Sequence, residues 1–119
     1  MTINIAGREI GPGWPCLIVA EAGVNHNGQT RNALRLVDAA ARAEADAVKF
    51  QTFSADRIAT AGAPKAAYQR KGSPRGQSML EMLRGLELDE AAHRRLHERC
   101  RRRSILFLFT TGEESGLLG

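Results

Sequence analysis

The stretch that decides the fold runs from Leu17-Ile18-Val19-Ala20-Glu21, through a segment from Thr30 to about Ala43, to Ala47-Val48-Lys49-Phe50-Gln51. Each flanking run is apolar until a polar residue near its end, the pattern of a strand buried on both faces. Between them, Thr30 reads as an N-cap, and Ala33, Leu34, Leu36, Val37, Ala40 and Ala41 recur at helical spacing. Strand, helix and strand in so short a span make a βαβ unit, which implies a parallel pair and a right-handed crossover.

Outward from this unit, residues 1–15 contain Thr2-Ile3-Asn4-Ile5 and the turn-rich Gly11-Pro12-Gly13-Trp14-Pro15, a short edge strand or hairpin arm. Ala22 to Gly28 has loop chemistry. From Thr52 to Gln77 the chain is rich in Gly, Ala, Pro, Lys and Ser, a connection of the length that usually carries function. A short helix is expected around Ser78–Leu86. Asp89 then caps a helix to about Arg102, with Glu90 in its first turn and Ala92, Leu96 and Cys100 on one face. Ile105-Leu106-Phe107-Leu108-Phe109-Thr110 is a third buried strand. The expected fold class is therefore α/β, with the opening three strands of a parallel sheet.

The 119 residues, 43% hydrophobic, suffice for one domain with a modest core and carry too many apolar side chains for a disordered segment. The chain has no apolar run long enough to span a membrane, and Met1 to Pro15 lacks the pattern of a secretory signal. Cys16 and Cys100 define no disulfide framework, so both are expected reduced and the location cytoplasmic. The net charge of +4 owes much to Arg94, Arg95, Arg99, Arg101, Arg102 and Arg103. On a helix these make a solvated face with cations near the C-terminal end of the macrodipole; the other reading is a nucleic-acid-binding module. No aromatic residues interleave with them as single-strand binding requires, so no nucleic-acid partner is expected.

Strand alternation sorts the polar residues. Glu21 shares a face with Leu17 and Val19, Lys49 with Gln51, and Thr110 with Leu106 and Leu108. If Ile18, Val48, Phe50 and Phe107 pack on the helices, then Glu21, Lys49, Gln51 and Thr110 converge beyond the carboxyl ends of the strands. That crevice is where α/β proteins bind ligands. Glu21 and Lys49 also read as a structural ion pair, although desolvation makes stability a poor reason for one inside a sheet. A lysine there suits a phosphate or carboxylate, or serves as a Schiff-base nucleophile in an aldolase fragment. His26 is either a loop histidine with a backbone partner or a catalytic group.

These residues carry a family resemblance. Ile18-Val19-Ala20-Glu21-Ala22-Gly23-Val24-Asn25-His26-Asn27-Gly28 resembles the first-strand signature of the N-acetylneuraminate (sialic acid) synthase family. Ala45-Asp46-Ala47-Val48-Lys49-Phe50-Gln51-Thr52-Phe53 is similar to its second-strand signature. Ala63-Pro64-Lys65, Tyr68-Gln69, Gln77-Ser78, Glu81-Met82-Leu83 and Leu86-Glu87-Leu88 extend the likeness, which covers most of the chain up to Thr110.

The resemblance implies an enzyme that condenses phosphoenolpyruvate with an N-acylated hexosamine such as N-acetylmannosamine, releasing phosphate and a sialic-type 2-keto acid. It implies a (β/α)8 TIM barrel that uses Mn2+ or Mg2+, followed by an antifreeze-protein-like domain that completes the site of a swapped homodimer. By the same likeness, Lys49 contacts the phosphate or carboxylate of phosphoenolpyruvate, and Glu21 positions water or the sugar's polar groups. Gln51 and Thr110 line the pocket, and Asn25 with His26 belongs to its first loop. A complete barrel needs roughly 250 residues, so residues 1–119 correspond to the N-terminal portion, about three βα units. The family's metal-binding histidines and its C-terminal domain have no counterpart in this sequence, and the chain alone is expected to be inactive. Glu44 stands where the family usually has Gly, a cost of about 1 kcal/mol if the position is left-handed. Where the family has Ser-Thr-Pro-Phe, the chain has Phe109-Thr110-Thr111-Gly112, and the tail to Gly119 suits a frameshift or premature stop.

Overall fold

The computed structural model describes residues 1–52 and 79–111. The expected connection over Thr52–Gln77 lies outside them beyond its first residue, as do Ser78 and the tail from Gly112.

The first element is a hairpin, β1 (Ile3–Ile5) against antiparallel β2 (Arg8–Ile10). Its two-residue turn, Ala6-Gly7, has positive φ at both positions (52° and 86°), the backbone twist that closes a tight hairpin. The main sheet follows: β3 (Val19–Gly23), β4 (Ala47–Thr52) and β5 (Leu106–Thr111), parallel and in the spatial order β3-β4-β5. Helix α1 (Thr30–Arg42) connects β3 to β4. Helices α2 (Met79–Arg84) and α3 (Glu90–Arg102) lie between β4 and β5 in the chain.

The long helices start differently. Asp89 caps α3 by accepting the Ala92 N–H at 2.8 Å, as the sequence indicates. The N-cap of α1 is Gln29, not Thr30, and its side chain makes no capping bond. Both helices end alike. Glu44 (φ 62°) and Ser104 (φ 56°) are left-handed; their N–H groups go back to Ala41 and Arg101, and the next N–H groups, of Ala45 and Ile105, to Ala40 and Cys100. This is the Schellman closure, usually made with glycine at the left-handed position.

Val48 and Phe50 of β4 pack beneath Ala33, Leu34, Val37 and Ala40 of α1 and Leu96 and Cys100 of α3, with Ile105 closing the base. Ala20 and Phe107 join from the flanking strands. Burial pushes the Cys100 thiol up to about 11, so it is a packing group rather than a reactive one. One expectation needs correction: β3 is not buried on both faces, since Val19 is 40% exposed. Ile18, expected against the helices, is 55% exposed. It precedes β3, where its N–H donates to the Asp46 carboxylate and its carbonyl accepts from Asp46 and Ala47.

Asp46 gathers the base of the sheet. It accepts the Ile18 N–H at 2.8 Å, pairs with Arg8 of the hairpin, and its carbonyl receives the Leu106 N–H. The Ile18 N–H first, and then Arg8, hold its carboxyl below the usual range. Among the described residues no helix is long and apolar enough to cross a membrane.

Candidate functional site

The register of the parallel sheet sets Glu21 beside Lys49 and Lys49 beside Leu108; one pleat further on, Gln51 lies beside Thr110. Alternation turns these side chains away from Val48 and Phe50, hence away from the helices. Lys49 Nζ stands 3.2 Å from Glu21 Oε2, with the two side chains 37% and 57% exposed. At that exposure the pair contributes about 0.2–1 kcal/mol, too little to explain the placement by stability. Gln51 is exposed and Thr110 half-buried. The structure thus brings Glu21, Lys49, Gln51 and Thr110 onto one face at the carboxyl ends of three strands.

It does not bring Asn25 and His26 there. The pairing with β4 skips a residue between Glu21 and Gly23, where Gly23 has φ 55°. This irregularity shifts the alternation by one residue and turns the following loop toward the helices. Three successive tight turns wind that loop: Asn25 N–H to Ala22, Asn27 N–H to Val24, Gln29 N–H to His26. His26 ends wholly buried against Phe50, ring centroids 6.2 Å apart, on the side opposite Lys49. Its Nδ1 accepts the Gly28 N–H at 2.8 Å, while its Nε2 is buried without a partner among the described residues. Burial first, and then the charge of His93, lower its pKa from 6.5. Asn25 instead lines a cleft of about 490 Å³ along α1, with Asn32, Arg35 and Asp38.

Two residues that pattern reading passed over lie nearby. The Thr52 hydroxyl meets His93 Nε2, and His93 Nδ1 lies 2.8 Å from the Asp89 carbonyl. Nothing in hydrophobic periodicity marks this pair. Its one signal is the position of His93, one turn after the cap residue Asp89.

The arginine run is largely neutralised. Arg94 pairs with Glu90; Arg101 and Arg102 share Glu98, whose carboxyl they hold at about 2; Arg99 and Arg103 reach Asp38 across the α1–α3 contact. Such pairing favours a solvated, cross-braced helix surface over a phosphate-binding stripe. Among the described residues no three His, Cys, Asp or Glu side chains form a group able to hold a metal.

Parallel strands joined through helices define an α/β protein, a class in which the carboxyl edge of the sheet, where these polar groups gather, is the usual place for a ligand. The chain belongs to the NeuB family, whose model matches residues 36–117. It is 44% identical over 107 residues to the N,N'-diacetyllegionaminic acid synthase of Legionella pneumophila, covering 90% of this chain and 30% of that protein. The N,N'-diacetyllegionaminic acid synthase of Campylobacter jejuni is 46% identical over 94 residues, covering 79% of this chain and 28% of its own length. The fold matches the crystal structure of N-acetylneuraminic acid (sialic acid) synthetase from Leptospira borgpetersenii, solved in complex with citrate. That match has a TM-score of 0.73 and 30% identity, over 99% of this chain and 36% of that one. The chain therefore spans about 30% of the length of the curated relatives it matches.

Proposed function

We propose that this chain is the first part, about three βα units, of a (β/α)8 sugar-acid synthase, and that it carries part of the phosphoenolpyruvate half-site. The observation that supports this most directly is the Glu21–Lys49 pair, set beside Gln51 and Thr110 at the carboxyl ends of parallel strands. The relatives named as synthases support the reaction class.

In this reading the Lys49 ammonium holds the phosphate or carboxylate of phosphoenolpyruvate as a point charge. Gln51 and Thr110 supply neutral hydrogen bonds that orient it. The enol carbon attacks the open-chain aldehyde of an N-acylated hexosamine. Water then adds to the resulting oxocarbenium carbon, and phosphate leaves by C–O cleavage. Glu21 orients that water or the sugar's hydroxyl groups, so the chain contributes mainly positioning. Mn2+ or Mg2+ belongs to the reaction in the family, but the described residues do not fit a metal centre. Lys49 is 37% exposed and, among the described residues, pairs with a carboxylate, whereas deep burial or a neighbouring cation makes a lysine a Schiff-base nucleophile. The homodimer and the cytoplasmic location remain part of the proposal through the family alone.

The test is an NMR titration of the 119-residue chain with phosphoenolpyruvate, alongside a condensation assay with N-acetylmannosamine and Mn2+. Expected are shifts centred on Lys49 and Gln51, lost in Lys49→Met, and no turnover. Shifts that survive Lys49→Met, or centre on the arginine run, would sink the assignment of the face. Turnover near that of a full-length synthase would sink the claim that the site is partial.

A further inference from the structure

We propose that His26 is a proton-sensitive latch: its neutral ring holds the β3–α1 loop closed through Gly28, and protonation releases that loop and the strand end carrying Glu21. The geometry defines the tautomer. Gly28 donates its N–H to His26 Nδ1 at 2.8 Å, so Nδ1 presents a lone pair and the single ring proton sits on Nε2. Among the described residues Nε2 has no partner, and the residue is wholly buried. A second proton on Nδ1 would set two donors face to face and leave a cation in an apolar setting against Phe50. The closed loop therefore admits only the neutral ring.

What the latch holds is equally specific. Gly28 has φ 78°, and a Cβ on it would overlap the Gly85 carbonyl oxygen, so the loop is pressed against the α2–α3 connection. The His26 carbonyl receives the Gln29 N–H at 3.1 Å and the Asn32 side chain at 3.3 Å, tying the same residue to the start of α1. Upstream, the first of its turns closes on the carbonyl of Ala22, one residue after Glu21 and at the register irregularity. Releasing Gly28 frees this short lever, and Glu21 moves relative to Lys49.

The surroundings set the sign. From β4 the ring meets Phe50, which carries no charge. From α3 it feels His93, the titratable group whose field reaches it. The charged groups Arg84, Glu87 and Asp89 border the cleft around Gly28. From α1 the neutral Asn32 reaches the His26 carbonyl. With the folded value below 6.5, closure is fully stable above pH 6.5 and weakens as pH falls below it. The carboxylates with lowered values, Asp46 and Glu98, act at more acid pH. His26 is thus a positioning residue, and the latch holds whether or not the chain is part of a synthase.

The test is hydrogen exchange and imidazole 15N NMR on the 119-residue chain between pH 7 and pH 5. Uptake of one proton on opening predicts that protection of the Gly28 amide falls about fivefold from pH 6.5 to 5.5, relative to the Val48 amide in the sheet. Nitrogen shifts should report the Nε2–H tautomer at pH 7. In His26→Asn the side-chain oxygen stands close to the position of Nδ1 and does not titrate, so Gly28 protection should persist and lose its pH dependence. Protection independent of pH in the natural chain would overturn the latch. So would an imidazolium at His26 with Gly28 still protected, or an unchanged pH dependence in His26→Asn.

Discussion

Replacing Glu44 with Gly should stabilise the chain, and the size of the effect follows from its backbone. Glu44 sits at φ 62° as the left-handed residue closing α1, held there by its own N–H to Ala41 and the Ala45 N–H to Ala40. For a residue with a Cβ this conformation costs about 1–2 kcal/mol, which Gly avoids. Gly gives back about 0.4–1 kcal/mol through the greater freedom of the unfolded chain. The net gain is about 0.5–1 kcal/mol, or about 2–4 °C in Tm for a domain of this size. Glu44 also places a negative charge at the carboxyl end of a helix, a smaller penalty of about 0.3 kcal/mol. Glu44→Ala separates the two effects, because Ala removes the charge and keeps the Cβ. Urea and thermal unfolding should rank Gly above Ala and Ala slightly above Glu. If Gly were no more stable than Ala, the left-handed closure would not carry the strain assigned to it. Ser104→Gly at the end of α3, with φ 56° and the same pair of backbone bonds, should behave likewise without the charge component.

Two further substitutions probe the packing beneath the site. Phe50→Ala removes the largest wholly buried side chain among the described residues and should cost about 3–5 kcal/mol in urea unfolding, whereas Phe109→Ser, at a residue 53% exposed, should cost far less. Gly28→Ala adds both backbone strain and an overlap with the Gly85 carbonyl, for about 3 kcal/mol in thermal unfolding. Gly7→Ala, at φ 86° with open space around it, should cost only about 1 kcal/mol, and equal losses at the two glycines would remove the close-approach argument.

The sheet was legible because its residues obey one rule each. Val48 and Phe50 are apolar and buried, Lys49 and Gln51 polar and turned the other way, so period-2 alternation placed all of them. Asp89 announced α3 by its capping chemistry, and the joint appearance of Glu21, Lys49, Gln51 and Thr110 followed from strand ends alone. Alternation failed where the backbone left the regular pleat. The irregularity between Glu21 and Gly23 carries His26 beneath the sheet, and no side-chain pattern encodes a skipped pairing. Ile18 misled for a related reason: its apolar character matched a buried strand, but its backbone is engaged by Asp46 before the strand begins. Thr52 and His93 meet only because α3 folds back over β4, a contact across 41 residues of sequence.

The electrostatics of the shared face bear on how this chain would hold a ligand. Glu21 and Lys49 cancel, and Gln51 and Thr110 are neutral, so these four groups present no net charge to an anion. A phosphate drawn to Lys49 approaches Glu21 as well, and at the separation of such an ion pair the repulsion offsets much of the attraction. In water, with both side chains more than a third exposed, what survives is further screened by salt. Tight binding of a phosphorylated carboxylate therefore requires additional cations facing Lys49 and a cover that lowers the local dielectric. The described residues of this face supply neither. The proposed half-site should accordingly bind phosphoenolpyruvate only weakly, in the millimolar range of a few kcal/mol. Glu21→Gln, which removes the competing charge and keeps the shape, should tighten that binding in the 119-residue chain. Weaker binding by Glu21→Gln in the same titration would mean that the carboxylate holds Lys49 in place for the ligand rather than competing with it.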